Sequence, residues 1–137
     1  MMQRSQGFTL IELIAVIAII SILAVAVMMN YPSKTIFNLS SITEQLKRDI
    51  RYTQTVAMSL NTPYTINITT NNYSISPNPP RGAYSVTMPT GVTLSASSVT
   101  FDAMGTPSNV VNTIITITGT GVGTTTVTIV PETGFVQ

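Results

Sequence analysis

The apolar positions of this chain follow three rhythms in turn. From Phe8 to Met29 they run almost without interruption, and Glu12 is the only charge in those 22 residues. At about 1.5 Å per residue, a helix of that length reaches about 33 Å, close to the hydrocarbon thickness of a bilayer. The pattern predicts a membrane-spanning helix over 8–29. Beyond it, Ile36, Leu39, Ile42, Leu46, Ile50, Thr53, Val56, Ala57 and Leu60 recur at steps of mostly three and four. That spacing gathers them on one face of an amphipathic helix, while Lys34, Glu44, Lys47, Arg48 and Arg51 fall on the opposite face. Asn61 and Pro63 mark its end. Pro32 lies between the two segments, where its missing N–H predicts either a kink or a helix boundary at the membrane surface.

After Pro63 the period becomes two. Strands are predicted at Tyr64–Thr69, Tyr73–Ser76, Tyr84–Met88, Val92–Leu94, Val99–Phe101, Val110–Thr118, Thr124–Val130 and Phe135–Val136. Asn71-Asn72 reads as the left-handed corner of a tight hairpin between the first two. "PNPPRG" is a loop, and Gly119 to Gly123, "GTGVG", a turn between Thr/Ile/Val strands. A phosphate-cradling loop must lead into a helix, and here a strand pattern follows at once. The fold class expected is α+β: a long N-terminal helix, with a membrane half and an amphipathic half, packed on a C-terminal antiparallel β-sheet domain.

Composition sharpens this division. The 137 residues have room for one modest globular domain and one membrane element. Eight of the eleven charged residues lie at or before Arg51, and residues 52–137 carry only Arg81, Asp102 and Glu132. The 18 threonines from Thr62 to Thr133 suit strands with a neutral, hydroxyl-covered face. Cysteine and histidine are absent, so disulfides, thiol catalysis and their metal sites are excluded.

Glu12 is the anomaly. A carboxylate within a membrane span costs roughly 2.5–3.5 kcal/mol on insertion scales, so an unpaired one calls for a reason. A secretory signal would explain the apolar run, and Ala24-Val25-Ala26 offers an Ala-x-Ala cleavage site, but the run is long for that reading and Glu12 sits wrongly in it. A plain signal anchor accounts for the length, and Arg4 for an orientation with the N-terminus in the cytoplasm. It leaves Glu12 without a purpose.

The string Gly7-Phe8-Thr9-Leu10-Ile11-Glu12-Leu13 resembles the class III signal of type IV pilins and type II secretion pseudopilins. "VTFDAMGTPS", Val99–Ser108, is similar to the Phe-Asp-x-x-Gly-x-Pro element of the GspH/FimT-type minor pilins and pseudopilins, with Phe101, Asp102, Gly105 and Pro107 in the matching places. "ETGFVQ" is similar to the strand that closes those domains. Met104 stands where that family commonly has a basic residue.

The resemblance implies a cleaved leader over 1–7, a transmembrane and filament-core helix over 8–29, an amphipathic continuation over 30–61 and a β-rich domain over 62–137. It implies cleavage between Gly7 and Phe8 by a prepilin peptidase, which also N-methylates Phe8. Glycine before the cut lets the backbone lie close in a protease groove. Glu12, at the fifth position of the mature chain, becomes an assembly residue that pairs with the new Phe8 ammonium. The partners implied are that peptidase, other pilin or pseudopilin subunits, and the bacterial inner membrane. The β domain lies outside the cytoplasm and the final location is a pilus or pseudopilus. No cofactor or metal is implied. The GspH/FimT-like element favours a minor subunit, although a low-charge, Thr-rich domain also suits a repeated surface.

Two other classes can be weighed on the residues themselves. A membrane-tethered hydrolase would have to work with Asp102, Glu132 and hydroxyls alone, and a Ser or Thr nucleophile needs a neighbouring base; the chain is expected not to be an enzyme. For a DNA-binding module, Arg81 is the single cation beyond Arg51, too few for the phosphate contacts double-stranded DNA requires. A tip subunit that grips a glycan or protein through its neutral surface stays open. Calcium needs six to eight oxygens, and Asp102 and Glu132 are isolated in sequence. Asp102 reads as a turn cap next to an inward Phe101.

Overall fold

The structure is a computed structural model that describes residues 8–29 and 33–137. They fall into two units divided between Pro32 and Ser33. The first holds helix α1, Leu10–Met29. Its apolar residues point in all directions, and every described side chain from Phe8 to Met28 is exposed. Ser21 turns its hydroxyl back onto the Ile17 carbonyl at 2.7 Å, so this polar group needs no water. Pro32 and the bend expected there lie outside the described residues.

The second unit begins with helix α2, Lys34–Leu60. Ser33 caps its start: the backbone is extended there and the side-chain oxygen accepts the Ile36 N–H. Its end is the stop expected at Asn61. That residue takes the left-handed conformation at φ 49° and donates its N–H to the Ala57 and Met58 carbonyls. Between the caps, Ile42, Leu46, Ile50, Thr53, Val56 and Ala57 of the predicted stripe are buried. The stripe stops short at both ends, with Ile36 and Leu60 nearly half exposed.

Seven strands follow: β1 Tyr64–Ile68, β2 Asn72–Ser76, β3 Tyr84–Thr87, β4 Val92–Leu94, β5 Ser97–Phe101, β6 Thr113–Gly119 and β7 Gly123–Ile129. They form two antiparallel sheets, one in the order β3-β2-β1-β5 and one in the order β4-β6-β7. Register aligns the inward residues. Ile66 stands opposite Ile75 on one side and Val99 on the other, and Ile115 opposite Val127. All five are at most 3% exposed. α2 packs on both sheets, and its buried face completes the core. On the outer side, Thr116 pairs with Thr126 and Thr118 with Thr124, the hydroxyl-covered face that the composition predicts.

Four local expectations are corrected. Asn71-Asn72 does not turn the first hairpin through left-handed geometry: Asn72 is the first residue of β2, and Asn61 is the one non-glycine with positive φ among the described residues. The corner is instead closed by Thr69, which exchanges backbone and side-chain bonds with Asn72. The strand expected from Val110 begins at Thr113, leaving Val110 and Val111 exposed. Gly119 and Gly123 belong to the strands and pair with each other, so the turn itself is only Thr120-Gly121-Val122. The final strand reduces to one bridge, Ile129 to Val136.

Candidate functional site

Gly7 lies outside the described residues. Phe8 is 78% exposed, just ahead of α1. Thr9 caps that helix: its carbonyl accepts the Glu12 and Leu13 N–H groups at 3.1 and 3.2 Å, and its hydroxyl accepts the Glu12 N–H at 3.3 Å. Thr9-Leu10-Ile11-Glu12 thus has the spacing of a capping box, with Glu12 at the third helical position. The carboxylate also lies at the positive end of the helix dipole. This local role could have been found from the T-x-x-E spacing. It accounts for a carboxylate in the first turn, and it leaves the side chain exposed and available to another group.

The β-domain element is built from Phe101 outward. Phe101 closes β5 fully buried, and it bridges to Pro107. Between them Asp102 organises the turn. Its Oδ1 accepts the Met104 and Thr106 N–H groups, both at 2.8 Å, while its backbone exchanges bonds with Thr106 and Gly105. Gly105 has φ +82°, and a Cβ there would come within 2.8 Å of Met58 Sδ on α2. The left-handed conformation therefore demands glycine, whereas the flexible Met58 side chain has room to shift.

Gln54 on α2 ties this turn to the C-terminal segment. Its Nε2 donates to the Gly105 carbonyl at 2.8 Å and to the Thr133 carbonyl at 3.0 Å. Arg51 adds a bond from Nη2 to the Val136 carbonyl at 2.8 Å. The two GspH/FimT-like strings are thus held side by side against one flank of the helix. Arg51 reads in sequence as a solvated charge and Gln54 carries no signal at all, so these links were not legible.

A third cluster occupies the other flank. Asp49 Oδ2 accepts the Tyr73 hydroxyl at 2.5 Å and the Tyr84 hydroxyl at 2.8 Å. Burial, followed by the bond to Asp49, holds the Tyr73 phenol far above its ordinary value near 10, and the same causes raise Tyr84. Both shifts favour the protonated phenol that donates to Asp49. Beside them Arg48, Asp49, Tyr52, Pro79, Arg81, Gly82, Ala83 and Tyr84 line an open cavity of about 320 Å³.

Asp102 and Glu132, the only acids beyond Arg51, form no group with a third ligand: among the described residues no cluster of three His, Cys, Asp or Glu side chains could hold a metal.

The prokaryotic N-terminal methylation motif matches residues 2–28. No curated protein sequence matches the chain. Among solved structures, two crystal forms of the type IV minor pilin FimU from Pseudomonas aeruginosa are similar to it, with TM-scores of 0.60 and 0.58. Identity is 20% in both, covering 72% of this chain and 86% and 90% of the FimU chains. At that identity the likeness speaks for the fold, and the motif speaks for the N-terminal segment. The chain joins a prokaryotic N-terminal methylation motif to a fold like that of the minor pilin FimU.

Proposed function

We propose that this protein is a structural subunit of a type IV pilus or related pseudopilus, matured by prepilin peptidase and assembled through α1. The observation that carries this reading is α1 itself. Leu10–Met28 has a mean hydropathy of 3.0, none of it is buried in the chain's own fold, and its only charge stands on the first turn, within the residues that match a methylation motif. Such a surface is stable in lipid and, after extraction, against the equivalent helices of other subunits. The inner membrane is then its first location, with the β domain outside the cytoplasm.

In the uncut chain the Phe8 nitrogen is an uncharged amide. Hydrolysis of the Gly7–Phe8 bond converts it to an ammonium, which methylation keeps cationic. Facing Glu12 of the same or a neighbouring subunit in a low-dielectric bundle, it relieves a charge whose isolation costs several kcal/mol. That guides each helix into register.

Mass spectrometry of the mature N-terminus tests the reading. Methyl-Phe8 is expected, and a start at Val27 would overturn it in favour of ordinary secretory cleavage. The minor-pilin fold supports a low copy number, which quantification in purified filaments checks; abundance equal to the main subunit would contradict it.

A further inference from the structure

We propose that the cavity beside α2 binds a carboxylated sugar, a unit of the uronic-acid class, gripping its carboxylate with Arg48 and Arg81 and its ring with Tyr52 and Tyr84. This goes beyond a role in filament structure and does not depend on it.

The charge bookkeeping of the β domain singles out this place. Arg81 is the only cation after Arg51, and it lines the same cavity as Arg48. A carboxylate is already present there, yet it does not quench them. Asp49 is bonded by two tyrosine hydroxyls, and the ion pair found among the described residues is Lys47 with Glu44. Neither the Arg48 nor the Arg81 guanidinium makes a hydrogen bond or ion pair among the described residues, and Arg48 acts on Tyr73 and Tyr84 only through its charge. Two guanidinium forks are thus left open at one cavity, and such forks match a carboxylate in bidentate fashion.

The net charge of the lining selects the ligand further. Two arginines and one aspartate leave a single positive charge, which suits a monoanion better than a doubly charged phosphate. A volume of about 320 Å³ lies within the range of small-molecule sites and exceeds what one acidic side chain fills. Tyr52 and Tyr84 are partly buried and offer amphipathic ring surface, suited to a body with both C–H faces and hydroxyls. Pro79, itself buried, stiffens the wall opposite α2. A uronic-acid unit combines these features: one carboxylate on a compact, hydroxylated ring.

Isothermal titration of the full-length chain in detergent micelles tests this, with sodium glucuronate, glucose, inorganic phosphate and N-acetylglutamate as separate ligands. Saturable glucuronate binding is expected, without saturation by glucose. Arg81→Gln and Arg48→Gln each should weaken it by at least about tenfold. Both side chains are exposed, so their variants keep the fold, which an unchanged thermal transition verifies. Tyr52→Leu should weaken glucuronate binding as well, and unchanged binding would overturn the role of its ring. Absence of saturable glucuronate binding overturns the proposal. Equal or tighter binding of phosphate overturns it in favour of a general anion site, and of N-acetylglutamate in favour of an acidic peptide from a neighbouring subunit. Each outcome is read from the isolated chain, so the mature N-terminus that tests the filament reading is measured separately.

Discussion

α1 and α2 are both well-formed helices rich in apolar residues, and they dispose of those residues in opposite ways. α2 turns Ile42, Leu46, Ile50, Val56 and Ala57 onto two sheets of its own chain and leaves a charged face to water. α1 exposes every described apolar side chain it has. A periodic stripe tells a helix to find a partner of matching shape within the domain. An unbroken apolar surface has no polar face to show to water, so its partner has to be lipid or other chains. The same comparison separates the two acids near each helix start and middle. Glu12 is exposed with only local support, whereas Asp49 is fixed by two tyrosines.

The sharpest way to break this contrast is at Glu12. Glutamine keeps the capping geometry of the third helical position but removes the charge. If Glu12 acts by pairing with the Phe8 ammonium, Glu12→Gln should be cleaved and membrane-inserted yet almost absent from filaments, as should Glu12→Ala, since an unpaired buried charge costs about 3–5 kcal/mol. Immunoblots of sheared filaments read this out. Normal incorporation of the glutamine variant would leave capping as the residue's whole role.

Leu46→Ala attacks the other helix. Leu46 is fully buried, and its truncation should cost about 2–5 kcal/mol in chemical denaturation. The equivalent change at Leu13 of α1, which is 58% exposed, should leave the transition of the β domain where it was. A matching loss at Leu13 would mean that α1 contributes to the domain's core.

Gln54→Ala should cost about 1–2 kcal/mol, chiefly by leaving the carbonyl of buried Gly105 without its donor, while the exposed Thr133 carbonyl passes to water. Hydrogen exchange at 102–107 and 131–137 should rise together in that variant. Protection unchanged in either loop would show that it does not rely on Gln54.

The smallest effect concerns alkaline pH. Tyr73 and Tyr84 have raised pKa values in the fold, while in the unfolded chain they ionise near 10. Stability from these groups is therefore fully present below about pH 10 and declines above it, as the unfolded state loses protons the native state retains. Urea unfolding between pH 8 and 11 should show this decline, reduced in Tyr73→Phe.

Much of the architecture could be read along the chain because it depends on short-range repetition. The run from Phe8, the stripe from Leu39 to Ala57 and seven of the strands each announce themselves within a window of a few residues. Turn chemistry was less legible: Asn61 met its expectation as a helix cap, whereas Asn72 became strand because Thr69 closed the corner instead.

What the sequence by itself determined is the division of labour, an apolar segment made for surroundings outside the chain followed by a helix and strands made for each other, since residue spacing alone decides which faces are apolar. Only tertiary structure decided that Asp49 would meet Tyr73 and Tyr84, that Gln54 would clasp Gly105 and Thr133, and that Arg81 would reach the cavity of Arg48. Those partners lie 24 to 79 residues apart where bonds join them, and no local period encodes a contact across that distance. It arises when the register of the sheets and the rotation of α2 are fixed together.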